Sequence, residues 1–219
     1  EDSAYFKSSD GKTLFKPYGT IAKQDLWDLL LQSTYDYSEP GVIFIDKVNK
    51  ENNLWFCEYI SASNPCSEQM LPPSGACLLG SIDLTKFVRN PFSDKAEFLW
   101  SDYKDTIAVF TRMLDNVVEF NNLPIQEQRN EILYKRRHGM GFFGLGSMLA
   151  MLKIKYGSEE SIKFTEQISH ILAYQGYLTG VELAKEKGTA PVLEALWEIK
   201  PEHERFNDFA KGNVGKLVK

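Results

Sequence analysis

Asn64, Cys66 and Glu68 are spaced two residues apart within ASNPCSEQMLPPSGACLLGS, residues 62–81. An amide, a thiol and a carboxylate thus share one short stretch. In an extended backbone every second side chain points the same way, so this spacing puts all three on one face. Pro65 fixes its φ and has no N–H, which argues against a central strand. Pro72 and Pro73 stiffen the return. The expectation is a rigid extended loop presenting three functional groups. An isolated Cys usually packs as a small hydrophobe; the amide and carboxylate beside this one favour a chemical role. Thiolate chemistry is poorly served. His138, His170 and His203 lie far along the chain, and a carboxylate neighbour works against a thiolate. Zinc is disfavoured as well, because Cys57, Cys66 and Cys77 form no CxxC pair. A thiol that works without ionising suits hydrogen-atom transfer, since losing H from S–H leaves a neutral thiyl radical that needs no cation.

Such groups need a scaffold. The 219 residues are 43% hydrophobic and 25% charged, which is enough to bury a globular core. The net charge of −5 gives no support to nucleic-acid binding and leaves small anionic substrates open. Three cysteines are too few for a disulfide framework and suit a reducing, cytoplasmic compartment. Residues 1–20 are polar and mixed in charge, unlike a secretory leader, and no apolar run is long enough for a membrane span. The first residue is Glu1 rather than Met, which reads as the sign of a fragment.

Along the chain, helical spacing of Leu26, Leu29, Leu30 and Tyr37 predicts a helix over 21–38, stopped by Glu39-Pro40-Gly41. GVIFIDKV (41–48) reads as a buried strand and LWFCEYI (54–60) as a second strand or short extended piece. A helix is expected at 102–121, capped by Ser101, with Tyr103, Ile107, Phe110, Leu114 and Val117 on one face. Another is expected at 126–136. HGMGFFGLGSMLAML (138–152) reads as a Gly-rich turn entering a helix. A long helix follows, capped by Ser158 and closed by Lys185, Lys187 and Gly188. The order predicts an α/β protein with too few strands to close its own sheet.

The run NPCSEQMLPPSGACLLGSIDLTKFV (64–88) closely resembles the active-site segment of the large, catalytic chain of ribonucleotide reductase. The resemblance extends to WDLLLQSTYDYSEPGVIFIDKVNKENNLWFCE before it and to RRHGMGFFGLGSMLAMLKIKYGSEES and VELAKEKGTAP after it, spanning roughly residues 25–191. It implies that Cys66 is the thiyl-radical cysteine that abstracts the 3′ hydrogen of the substrate ribose. Glu68 is implied to take the 3′-hydroxyl proton, and Asn64 to orient the sugar. Cys77 is implied to be one of two cysteines that supply electrons and become a disulfide, its partner lying well upstream. The implied fold is part of a ten-stranded α/β barrel, with the radical Cys on an internal finger loop. The whole of 1–219 is then one partial catalytic barrel domain, expected to be inactive alone and poorly stable, since half a barrel exposes strand edges.

The resemblance also implies partners: a ribonucleotide di- or triphosphate substrate, the remaining parts of the reductase, a dithiol reductant such as thioredoxin or glutaredoxin, and a second copy in a homodimer. The compact spacing from Cys66 to Cys77 is most similar to the adenosylcobalamin-dependent class; the alternative is a separate metal–radical small subunit. Outside the enzyme class, the alternative is an α/β interaction module in which Cys66 only packs.

Three further features are read more plainly. GMGFFG (139–144) fits GxGxxG, but the charged ILYKRRH before it is not the strand a dinucleotide site needs. Its glycines are therefore expected to make a tight turn and close helix packing. Lys135-Arg136-Arg137-His138 reads as a solvated helix end, and Cys57 as core packing. His170 and His203 are expected to have no special role.

Overall fold

The computed structural model describes residues 6–7, 14–15 and 19–198, and the chain divides into two compact units, Glu1–Phe44 and Ile45–Lys219. The first contains β1 (Phe6–Lys7) paired antiparallel with β2 (Leu14–Phe15), and helix α1 (Lys23–Tyr37). Helix α1 ends as expected before Pro40. Ser38 takes a left-handed φ of 61°, and its N–H donates to the Thr34 carbonyl.

The second unit opens with α2 (Ile45–Lys50) in place of the strand expected over 41–48. Ile45, Val48 and Asn49 are half-buried at helical spacing while Val42, Ile43 and Phe44 are exposed, so the apolar run finds its burial with period 3.6. Asn49 then acts as a substitute strand. Its Nδ2 donates to the Ile60 carbonyl at 2.8 Å and its Oδ1 accepts from Ile60 N–H at 2.8 Å. The second expected strand, 54–60, is replaced by a turn in which Cys57 and Glu58 N–H both donate to the Leu54 carbonyl. Cys57 is exposed, not packed in the core.

The central feature is a parallel pair, β5 (Leu78–Asp83) with β8 (His138–Phe143), in register from Leu78↔His138 to Asp83↔Phe143. A 3-10 turn (Leu84–Phe87), the short antiparallel pair β6 (Val88–Arg89) and β7 (Glu97–Phe98), then α3 (Trp100–Phe120) and α4 (Gln126–Lys135) make the connection. After β8 come α5 (Leu145–Met151), α6 (Glu159–Lys187) and α7 (Pro191–Glu198). The glycine-rich segment is thus itself a strand. The turn predicted there comes at its end, where Gly144 takes φ 77° as the cap of α5.

Helix α3 packs against β5, β8 and α6. Its buried stripe is Tyr103, Ile107, Thr111, Leu114 and Val118. Val118 rather than Val117 completes it, because the stripe advances by steps of four, four, three and four. Ser101 lies inside the first turn; Leu99 occupies the cap position. The core gathers Ile82, Leu84, Phe87, Phe98, Tyr103, Ile107, Met148, Leu149 and Ile168. Each large apolar side chain fully buried there contributes about 1.5–3 kcal/mol. Helix α6 begins as predicted, with Ser158 Oγ accepting from Ser161 N–H at 3.2 Å, and ends at Gly188. Lys187 in its last turn reaches Asp115 and Asn116 of α3 at 3.1 and 2.6 Å, joining the two helix ends.

Burial alternates along β5. Ile82 is buried against the helices, whereas Leu79 and Ser81 face out. Phe143 is exposed on β8. One face of the sheet is therefore covered by helices and the other is open among the described residues. No described helix is long and apolar enough to cross a membrane.

Candidate functional site

The segment bearing Asn64, Cys66 and Glu68 is a hairpin tip, not the extended loop the spacing predicts. Strands β3 (Ala62–Ser63) and β4 (Met70–Leu71) pair antiparallel. Between them Ser67 N–H donates to the Asn64 carbonyl at 3.0 Å, closing a tight turn with Pro65 at its second position. Ser67 follows with φ 62°. Proline's fixed φ favours this turn over the flat extended conformation, so the three residues sit around a chain reversal rather than along one face of a strand.

Asn64 holds the tip together. Its N–H donates to the Gln69 carbonyl at 3.2 Å, and its Oδ1 accepts from Gln69 N–H at 3.0 Å. Its Nδ2 donates to nothing among the described residues. Cys66 and Glu68 are both exposed at the tip. Pro72 is buried on the return, where Gly75 N–H donates to its carbonyl at 3.0 Å.

Cys77 sits immediately before β5 and is half-buried. Its thiol donates to Gln69 Oε1 at 3.5 Å, which ties it to the residue that Asn64 clamps. Burial pushes the Cys77 thiol up; the Arg137 cation pulls it down and the Glu68 carboxylate pushes it up. The structure thus brings Asn64, Gln69 and Cys77 into one hydrogen-bonded chain, with Glu68 within electrostatic reach of the Cys77 thiol.

Gly139 makes room for this. A Cβ there would lie 2.7 Å from Leu79 Cδ2 and 3.2 Å from Cys77 Sγ. Gly139→Ala should therefore displace the Cys77 side chain and cost about 1–3 kcal/mol, the usual range for overpacking. Denaturant unfolding beside the rate of Cys77 alkylation checks both effects.

The basic run after α4 is not a solvated helix end. Glu58, whose side chain is 2% exposed, accepts from Lys135 and Arg137, each at 2.6 Å. Lys135 also pairs with Glu131. Burial pushes the Glu58 carboxyl up, but the hydrogen bonds from Arg137 and Lys135 hold it below the usual carboxylate range. Arg136, left-handed at φ 52°, pairs with Asp115 and Glu119 at 2.8 Å each. Four carboxylates thus draw in three cations that sequence alone leaves in solvent. Gln69 and Glu58 are residues the sequence gives no role, and Arg137, expected in solvent, joins them at the site. Gln69 stood in plain view in the motif, but Glu58 has no sequence signal.

His138 is half-buried, and burial pushes its imidazole down. His170 stacks on Tyr174; His203 lies outside the described residues. A cleft of about 1060 Å³ lies on the helix side of β8, lined by His138, Met140 and Gly176, and none of Cys66, Glu68 and Cys77 borders it. Among the described residues no cluster of three His, Cys, Asp or Glu could hold a metal ion.

Residues 3–212 match the family model described as ribonucleotide reductase, barrel domain. The chain is 30% identical over 179 residues to the vitamin B12-dependent ribonucleoside-diphosphate reductase of Thermoplasma acidophilum, covering 81% of this chain and 23% of that protein. It is 34% identical over 176 residues to the ribonucleoside-diphosphate reductase subunit alpha of Chlamydia pneumoniae, covering 78% of this chain and 16% of that one. Among solved structures, the Actinobacillus ureae class Id ribonucleotide reductase alpha subunit superposes with a TM-score of 0.66 at 26% identity, over 79% of this chain and 34% of the other. The chain therefore spans a quarter or less of the curated relatives' length. With the family model matching nearly its whole length, the chain belongs to the ribonucleotide reductase barrel-domain family.

Proposed function

We propose that this chain supplies the reacting thiols and the base of a ribonucleotide reductase, within a ten-stranded α/β barrel whose remaining parts come from the rest of the reductase. The observation that carries the reading is the hydrogen-bonded chain from Cys77 through Gln69 to Asn64, which couples a reductant thiol to the hairpin presenting Cys66. In that barrel the hairpin is the internal finger loop, and the open face of β5 and β8 looks into the lumen.

The residues divide the work. A Cys66 thiyl takes the hydrogen from the ribose 3′ carbon, and Glu68 accepts the 3′-hydroxyl proton. Asn64 presents Nδ2 to the ribose hydroxyls while its Oδ1 is held by Gln69, so the sugar is oriented by an amide that cannot turn freely. The 2′-hydroxyl leaves as water. Cys77 and a second thiol then supply two electrons and two protons, so that one C–OH and two thiols become one C–H, one water and one disulfide. The same hydrogen atom returns from Cys66 to the 3′ carbon. A dithiol such as thioredoxin or glutaredoxin reduces the disulfide, and a cytoplasmic setting keeps that exchange favourable.

The exposed tip thiol fits a radical generator that meets Cys66 from outside the described residues. The chemistry it supplies is removal of one hydrogen atom from that thiol. Adenosylcobalamin is the generator proposed, in line with the relative named vitamin B12-dependent. A metal–radical small subunit is the second reading, favoured by the relatives named as alpha subunits. No described residue is assigned to holding either. The complete reductase bearing this chain, assayed for deoxyribonucleotides with a dithiol, should turn over only with adenosylcobalamin. Turnover only with a metal–radical subunit would overturn the cofactor assignment, and none under either condition would overturn the function.

A further inference from the structure

Arg137 lies where three parts of the site meet. Its Nη2 donates to the buried Glu58 carboxylate at 2.6 Å, and its Nη1 donates to the Met70 carbonyl of β4 at 3.4 Å. It stands two residues before Gly139, where an added Cβ would lie 3.2 Å from Cys77 Sγ and 3.8 Å from Gln69 Oε1. The side chain is only 15% exposed, and Glu58 fixes its direction. Resting on the proposed function above, we propose that Arg137, locked by Glu58, is a positioning residue for Cys77: it ties the β4 strand that follows Gln69, the hydrogen-bond partner of Cys77, to the β8 end and holds a fixed positive charge at that junction.

The consequence has a definite sign. Among the described residues, two charges act on the Cys77 thiol, Arg137 from the segment between α4 and β8 and Glu68 from the hairpin tip. Burial already disfavours the thiolate, and Glu68 does so further. Arg137 favours it, and Glu58 with Lys135 forms the immediate electrostatic surroundings of that guanidinium. A thiol that must exchange with a reducing dithiol works through its thiolate. The arginine therefore acts on the return of Cys77 to its reduced form, separately from the radical step at Cys66.

The test is residue-specific alkylation of Cys77 in the complete reductase, followed by peptide mass spectrometry across pH. Arg137→Gln keeps a donor for Met70 and removes the charge; the alkylation midpoint should rise by ~0.5–1 pH unit. Arg137→Lys keeps the charge and should return the midpoint close to the parent value. A purely structural role predicts the opposite sign, because a loosened hairpin would expose Cys77, relieve its burial and lower the midpoint. An unchanged or lowered midpoint in Arg137→Gln, or an equal rise in Arg137→Lys, overturns the proposal. If Arg137→Gln does not fold, Glu58→Gln decides: it releases the guanidinium from its lock, so the midpoint should rise as in Arg137→Gln, whereas a merely loosened hairpin would lower it, and no rise overturns the proposal. Alkylation needs no turnover, so its result stands apart from whether the reductase assay succeeds.

Discussion

Cys66→Ala in the complete reductase should lower deoxyribonucleotide formation by about 10³-fold or more, the scale seen when a reacting group is removed, while leaving the fold intact. The structure separates these two effects. Cys66 is exposed at the hairpin tip, and the bonds that hold the tip run between Asn64, Ser67 and Gln69. None of them uses the Cys66 side chain. An exposed substitution outside such bonds changes stability by about 0.5 kcal/mol or less. Cys66→Ser should behave alike, since a hydroxyl gives up its hydrogen atom far less readily than a thiol. Parallel measurement of turnover and thermal unfolding checks the pair. Residual turnover within tenfold of the parent would remove Cys66 from the radical step, and a large loss of stability would make the activity result uninformative about chemistry. Asn64→Ala offers the contrast: it breaks the Gln69 clamp and should lower both turnover and stability.

The helices were legible in the sequence wherever local rules set them. Ser158 and Gly188 bracket α6 because capping is a near-neighbour interaction, and the stripe on α3 follows from period. What the sequence hid depends on long-range partners. The run 41–48 has strand composition, yet its half-buried positions fall on a helical face and Asn49 supplies the pairing to Ile60 instead. GMGFF is strand because β5 lies beside it and tolerates glycine at close approach, which no local pattern announces. In the site, the residue types Asn, Cys, Glu and Cys were readable, but their geometry was not. Alternation gave one face; Pro65 and the left-handed Ser67 give a reversal. The basic run illustrates the same limit, since Lys135 and Arg137 find Glu58 more than seventy residues away in sequence.

Glu58→Ala should cost about 3–5 kcal/mol, the range for removing one partner of a buried ion pair. Glu58 and Lys135 have side chains only 2% and 5% exposed, and Arg137 is close behind. Without the carboxylate Lys135 keeps Glu131, whereas among the described residues Arg137 keeps only the long contact to Met70. The cost therefore falls on the anchor of the hairpin. Acid should erase it. The Glu58 carboxyl is held below its ordinary value of 4.5 by Arg137 and Lys135 despite burial. A group whose folded value is depressed stabilises the fold fully above its unfolded value, and that contribution is lost as pH falls through the folded one. The gap between parent and Glu58→Ala should thus be full at neutral pH and narrow steadily below 4.5. Denaturant unfolding of both proteins across that interval measures it. A gap that stays constant with pH would show that Glu58 acts by filling space rather than by charge. A gap under about 1 kcal/mol, the usual worth of a surface pair, would show that solvent reaches the network, and the charge held beside Cys77 would then be too well screened to set the behaviour of its thiol.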